Sequence, residues 1–365
     1  MPKRMLKLAL KTEAKISLPK WKSTDILSNK GTHRKSMKKI QIAGMGKYLP
    51  PLRVSSAELE IKMGLEPGWI LEKSGVEFRH YVEEDSNSSM GAKALEKALT
   101  NAEMEYEELD LIISAAGSYD YPIPDTSCLI QKAAGKGLSG IPSFTVDATC
   151  LSFLTALDLA ACLIEIGRYR NIAIVSSEIA SKSLNPQEWE SSTLLGDGAA
   201  AAILRPTPEE ETSAVLSAAM ETYGDGAFYT WVKGGGNVFH PRIEAEDREA
   251  YTFHMNGPAV LGMAFRKLRP FVKKLFQKLD FSLQEIELFV PHQASGVALE
   301  KAQSFFRLED HQFMSNIRDH GNCIGASIPM ALCDAISQGR VKRGDRVCLL
   351  GTGAGLSLGG LVMTY

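Results

Sequence analysis

The chain has 365 residues, 44% of them apolar, with 41 Lys and Arg against 43 Asp and Glu for a formal net charge of -2 at pH 7. That apolar content over this length supports a large core and two domain-sized units, and the near-balanced charge gives no field for non-specific nucleic-acid binding. No run of about 18 uninterrupted apolar residues occurs, so no membrane span is expected.

Residues 1–37 differ from the rest, with ten Lys or Arg against two acidic residues. A basic, acid-poor leader containing Ser and Thr resembles a transit peptide; the preferred reading is a disordered tail, with Met37 opening the folded chain. From Lys38 onward, short β-branched runs alternate with longer helical patterns, which predicts a layered α/β fold. The predicted strands are IQIAGM, LDLIISAAG, IPSFTVDA, NIAIVSS, AAAAILR, LFVPHQ, RVCLLG and GLVMTY. Six cysteines, at 128, 150, 162, 323, 333 and 348, lie mostly in apolar runs. They form no CxxC pair and no His/Cys zinc spacing, and fit a reducing cytoplasm better than a disulfide framework.

Two stretches repeat a design. EYEELDLIISAAGS (105–118) and SLQEIELFVPHQAS (282–295) share an acidic lead, an apolar strand and a small-residue exit. Each precedes a helix ending in Gly-Arg and then a strand, so an internal duplication is expected, with halves at 38–210 and 211–365. Cys150 lies 17 residues before Gly167, and Asn322 lies 17 residues before Gly339. Counting back from the Gly-Arg pairs therefore makes Cys150 and Asn322 equivalent, and a pseudo-twofold molecule would bring the two helix starts together.

A thiol at a helix N-terminus meets the positive end of the helix dipole and unpaired N–H groups, which predicts a lowered pKa and a usable nucleophile. Alone, a cysteine at a strand end is more often an inert buried side chain. A lone His292 after an apolar strand is more often a satisfied histidine, and Asn322 after Gly more often a cap. GTGAG at 351–355 lacks both the lysine of a phosphate loop and the third glycine of a dinucleotide fingerprint. The three residues gain meaning together.

DATCLSF, VPHQAS and GNCIGAS place Cys150, His292 and Asn322 in the order and spacing of the Cys-His-Asn triad of ketoacyl-ACP synthase III, a thiolase-superfamily family that residues 38–365 resemble. LLGDGAAAAIL (194–204), MNGPAVLGMA (255–264) and the terminal GTGAGLSLGGLVMTY resemble further segments of that family. The resemblance implies a thiolase fold of two pseudo-twofold α/β halves in an α-β-α-β-α arrangement. It also implies a decarboxylating condensation: Cys150 takes an acyl group from acyl-CoA, backbone N–H groups of Cys150 and Gly355 hold the oxyanion, and His292 and Asn322 bind the carbonyl of malonyl-ACP or malonyl-CoA. No metal or organic cofactor is implied, only thioester substrates. Thiolases proper carry a second cysteine in the final glycine loop; GTGAG has none.

The resemblance further places Trp69 against the CoA adenine, with Lys73 and Arg79 near its phosphates, and Ile123 (with Pro122 and Pro124) and Leu356 at the acyl pocket of a cytoplasmic homodimer. Val297 stands where the family commonly has an arginine that docks the acyl carrier protein, and Lys301 is the nearby substitute. Enzymes that join two acyl-CoA molecules head to head are the alternative, with acyl transfer to a small-molecule nucleophile or a non-catalytic acyl-binding homologue behind it. The head-to-head enzymes use an added glutamate near the nucleophile. Here that region offers Asp120 and Asp125, which read first as loop or cap residues.

Overall fold

Strand segments with apolar residues at consecutive positions are built to bury both faces of a sheet, and two such sheets form the core of the computed structural model, which describes residues 37–244 and 247–365. The basic leader, expected as a disordered tail, lies outside the described residues. In the first sheet the strands lie in the order Ile40–Tyr48, Gly198–Pro206, Ile172–Glu178, Leu111–Ala115, Ser143–Val146. Neighbours among the first three run antiparallel, and Leu111–Ala115 is parallel to the strands on either side.

The second sheet repeats this plan. Its order is Ala214–Thr222, Ser357–Thr364, Arg346–Gly353, Leu288–Pro291, with two antiparallel pairings followed by a parallel one. A parallel bridge from Phe289 to Phe313 takes the fifth place. Ala214–Thr222 is a strand absent from the predicted set, because its run of Ala and Ser carries little β-branched signal. Residues 207–213 connect the two sheets.

Side chains sort by period two into separate cores. Leu111, Ile113, Ile172 and Ile174 from one sheet and Leu288, Val290, Val347 and Leu349 from the other pack on the helices Ser152–Glu165 and Ser327–Ser337 between them. The alternate residues Ile112, Ala173 and Val175 face the helix Asn87–Ala102. Phe289, Cys348 and Leu350 belong to the cluster of the helix Gly257–Phe276. Five layers result, and the two central helices start at the same end of their sheets.

Candidate active site

Cys150 lies in a 3₁₀ turn, Thr149–Leu151, that opens the central helix Ser152–Glu165. The turn is built by local polar contacts: Asp147 Oδ1 accepts the Thr149 N–H at 2.8 Å, Ser152 Oγ accepts the Ala148 N–H at 2.9 Å and donates to the Thr149 carbonyl at 2.7 Å. Thr149 is held at φ 52°, a left-handed conformation that β-branched residues rarely adopt.

The second central helix begins the same way. Ile324, at φ 47°, opens the turn Ile324–Ala326, and Ser327 Oγ accepts the Cys323 N–H at 3.0 Å. Thr149 thus corresponds to Ile324, and Cys150 to Gly325 rather than to Asn322. The count from the Gly-Arg pairs misplaced the equivalence because the second helix has 11 residues where the first has 14. The two triad residues share an end of the molecule, not a structural position.

His292 follows the strand Leu288–Pro291 and is tied to the neighbouring strand by its N–H to the Leu350 carbonyl at 2.8 Å. Fully buried Gln293 braces this exit, donating to the Pro291 carbonyl at 2.8 Å and accepting the Asn316 N–H at 3.0 Å. The His292 backbone comes so close to Gly351 that a Cβ there would lie 2.8 Å from the His292 Cβ. A Cβ on Gly353 would lie 2.8 Å from Thr149 Oγ1. Two glycines of GTGAG are therefore close-approach positions.

Asn322 is fixed through both ends of its amide: Oδ1 accepts the Ile324 N–H at 2.9 Å, and Nδ2 donates to the Ala294 carbonyl at 3.3 Å, next to His292. Its backbone pairs with LLGDGA, its N–H to the Leu194 carbonyl at 2.9 Å and its carbonyl to the Gly196 N–H at 3.0 Å. Gly321, at φ 67°, turns the chain into that pairing, and a Cβ there would lie 2.7 Å from the Leu194 carbonyl oxygen. Asp197 of the same segment accepts the N–H groups of Val82, Ala180 and Ser181.

Cys150, His292 and Asn322 line one cavity of about 460 Å³, together with Thr352, Gly353, Ala354 and Leu356 of the last loop. An apolar wall comes from the short strands Thr230–Val232 and Phe253–Met255, including Trp231, Phe253 and Met255. Nothing in the sequence singled out Trp231 or Phe253, and Met255 stood out only as the first residue of MNGPAVLGMA.

Burial, and then the charge of Glu178, push the Cys150 thiol up to about 12, against the N–H groups of Cys150 and Ala354 that bear on the sulfur. The expected lowering at a helix start is thus overturned: desolvation outweighs the backbone N–H groups at the sulfur. The second backbone N–H that bears on the sulfur is that of Ala354, next to Gly355, the residue expected to help hold the oxyanion. Burial lowers His292 to about 4, so its imidazole is neutral across the physiological range. Among the described residues, its Nδ1 has no hydrogen-bond partner.

A family model described as 3-Oxoacyl-[acyl-carrier-protein (ACP)] synthase III matches residues 144–224, and its C-terminal counterpart matches residues 276–365. A beta-ketoacyl-[acyl-carrier-protein] synthase III of Clostridioides difficile is 31% identical over 328 residues, 90% of this chain and 98% of that protein. The chain belongs to the beta-ketoacyl-[acyl-carrier-protein] synthase III family. The solved synthase III of Pseudomonas aeruginosa PAO1 superposes with TM-score 0.81 at 26% identity, covering 90% of this chain and 98% of that one. OleA of Xanthomonas campestris, at 22% identity and TM-score 0.77 over 90% of this chain and 98% of its own, shares the fold.

Against the synthase III pattern, the outer residues divide. Trp69 opens the helix Trp69–Ser74 and meets Trp189 edge to face at 6.3 Å; Trp189, 44% exposed, is an aromatic that sequence reading passed over. Lys73, on the same helix, bonds Glu72 at 2.8 Å. Arg79 is not at a phosphate. It is fully buried, donating to Ser56 Oγ at 2.9 Å and the Thr193 carbonyl at 2.6 Å, because its strand Phe78–Tyr81 turns it inward. Ile123 is 88% exposed and lies outside the cavity lining, whereas Leu356 is buried and lines it.

Val297 is partly exposed near the start of the helix Gly296–Phe306, and Lys301 borders the groove between that helix and Gly257–Phe276. Asp120 accepts the N–H groups of Asn87 and Ser88, and Asp125 caps the helix Thr126–Ala133. Both aspartates are occupied as helix-end acceptors. Among the described residues, no helix is long and apolar enough to cross a membrane.

Proposed function

We propose that this protein condenses an acyl-CoA primer with a malonyl thioester, carried by acyl carrier protein or CoA, to a 3-oxoacyl thioester with release of CO2. The carrying observation is the shared cavity in which a thiol from one central helix start meets a histidine and an asparagine from the other half. In the first half-reaction the Cys150 sulfur adds to the acyl-CoA carbonyl, the C–S bond to CoA breaks, and the thiol proton leaves with CoA. The Cys150 and Ala354 N–H groups hold the oxyanion of that step, a role supported by their both bearing on the sulfur. In the second, His292 and Asn322 donate hydrogen bonds to the malonyl thioester oxygen while CO2 departs, and the resulting carbanion attacks the acyl-cysteine, breaking its C–S bond; the released Cys150 thiolate takes a proton from water and returns to the resting thiol. Two neutral donors suit an oxygen that gains charge only in the transition state, and the buried, neutral His292 fits that role. The driving force is CO2 release, so the scheme draws on no metal or organic cofactor.

Trp69, with Trp189 beside it, is the face offered to the CoA adenine, and Lys73 the nearby cation. The loop 118–125 projects Tyr119, Tyr121 and Ile123, at 54, 60 and 88% exposure, which supports a homodimer in which this loop covers a second copy. Six free cysteines support a reducing, cytoplasmic setting. Intact-protein mass spectrometry with acyl-CoAs from acetyl to long-chain, chased with malonyl-CoA or malonyl-ACP, tests the reading. A mass shift absent in Cys150→Ala and discharged by a malonyl thioester is expected. Discharge only by a second acyl-CoA moves the assignment to head-to-head condensation, and no shift with any primer overturns it.

A further inference from the structure

The strand Ile172–Glu178 ends in a carboxylate that the condensation scheme does not use. Glu178 is fully buried, and its four partners are all neutral donors. Oε1 accepts the N–H of Gly117 at 2.7 Å and that of Gly325 at 3.1 Å; Oε2 accepts the N–H of Ser118 at 2.9 Å and its hydroxyl at 2.5 Å. Gly117 and Ser118 line the cavity in the first half. Gly325 belongs to the turn after Asn322 and holds the place in the second half that Cys150 holds in the first. A Cβ on Gly325 would lie 2.7 Å from Glu178 Oε1 and 3.1 Å from the Thr149 carbonyl, so the carboxylate sits where the two helix starts meet. Burying a carboxylate without a cation is costly, and a neutral apolar residue would fill the space without that cost.

We propose that Glu178 is a positioning residue that fastens the Asn322 turn to the cavity floor beside Cys150, setting the geometry of the decarboxylating donors and the electrostatic field at the thiol. This deepens the condensation reading and rests on it. The ionisable side chains on which Glu178 acts are Cys150, from the nucleophile turn, and Cys323, from the Asn322 turn, where Asp197 also acts. Burial raises Glu178 itself to about 7 against its four hydrogen bonds. Its charge therefore switches near neutrality, and ionisation opposes loss of the Cys150 proton.

Two substitutions separate charge from reach. Glu178→Gln keeps the size and removes the charge; the rate of Cys150 alkylation by iodoacetamide, read by peptide mass mapping, is expected to move to lower pH by about one unit. Glu178→Asp keeps the charge but is one methylene short of spanning both loops. Its alkylation profile is expected to stay with the wild type while malonyl decarboxylation falls about tenfold relative to acylation. Alkylation needs no substrate, so its result stands whether or not the condensation reading does. If Glu178→Gln fails to fold, Ser118→Ala leaves the carboxylate in place, removes its shortest donor and shifts the alkylation profile the same way by less. Wild-type alkylation profiles in Glu178→Gln, or in Ser118→Ala where that variant replaces it, overturn the proposal, and so does an unchanged decarboxylation-to-acylation ratio in Glu178→Asp.

Discussion

Gly351→Ala adds one methyl group at the contact that sets His292. The new Cβ would lie 2.8 Å from the His292 Cβ, 3.2 Å from Leu151 Cδ2 and 3.5 Å from Ile328 Cδ1. The leucine and isoleucine tips can turn away, but the His292 Cβ is bonded to a backbone tied to Leu350. Ordinary carbon contacts need about 4 Å, so the His292 segment must retreat by about 1 Å. Overpacking of this kind costs about 1–3 kcal/mol of stability, and a 1 Å displacement of a catalytic group costs about 10²-fold in rate. Urea denaturation gives the first quantity. Release of CO2 from malonyl-CoA gives the second, with acyl transfer to Cys150 measured in parallel by intact mass. Decarboxylation should fall far more than acylation. Gly353→Ala, whose Cβ would instead press on Thr149 Oγ1 at 2.8 Å, should show the opposite bias. Wild-type decarboxylation in a stable Gly351→Ala enzyme would refute the claim that this glycine exists to admit His292.

Asn322→Ala removes a donor from the malonyl carbonyl; CO2 release should fall about 10²-fold or more with acylation largely intact, and unchanged release would remove Asn322 from the scheme. Trp69→Ala should raise KM for acyl-CoA about tenfold with kcat little changed, the loss expected from one base-stacking face; steady-state kinetics with CoA and pantetheine thioesters separate an adenine contact from a general defect. Asp334 is held at about 2, burial being overcome by hydrogen bonds from His320, Lys47 and Asn316. A folded value below the unfolded one stabilises above about pH 4 and is lost as pH falls toward 2, a contribution of about 2 kcal/mol. Asp334→Asn should therefore lose stability at pH 7, with the gap to the wild type narrowing to about half at pH 3 in urea unfolding. A gap that does not change with pH would contradict this.

The layered fold was legible because each half writes the same signals: strands buried on both faces, small-residue exits, and helices stopped by Gly-Arg. That Cys150, His292 and Asn322 would meet in one cavity was legible because His292 follows an apolar strand, where a polar residue is conspicuous, and Cys150 and Asn322 stand just before the two central helices. What escaped depends on contacts that no local pattern encodes. Arg79 lies in a short strand whose polar side chain reads as exposed, and only the packing of Gly196 and Thr193 around it turns it into a buried tie. The choice between Ala354 and Gly355 depends on how the loop lies over Cys150, which a glycine-rich run does not specify. Trp231, Phe253 and Met255 come from a segment with weak periodicity that becomes a cavity wall only by pairing with itself.

The thiol exposes the limit of motif reasoning most clearly. A cysteine at a helix start invites the inference of a lowered pKa, yet this site sets three opposing influences against one another: backbone N–H groups that favour the thiolate, a dry surrounding that disfavours it, and the Glu178 charge that disfavours it further. Their balance leaves the resting enzyme protonated at sulfur. In the proposed scheme such a thiol is spared reaction with solvent electrophiles, and the charge set free as its proton leaves passes to the thioester oxygen beside the Cys150 and Ala354 N–H groups. The same dryness keeps His292 neutral and hence suited to serve the malonyl carbonyl as a plain hydrogen-bond donor. Burial, which seems to spoil the nucleophile, is what allows one cavity to serve both half-reactions.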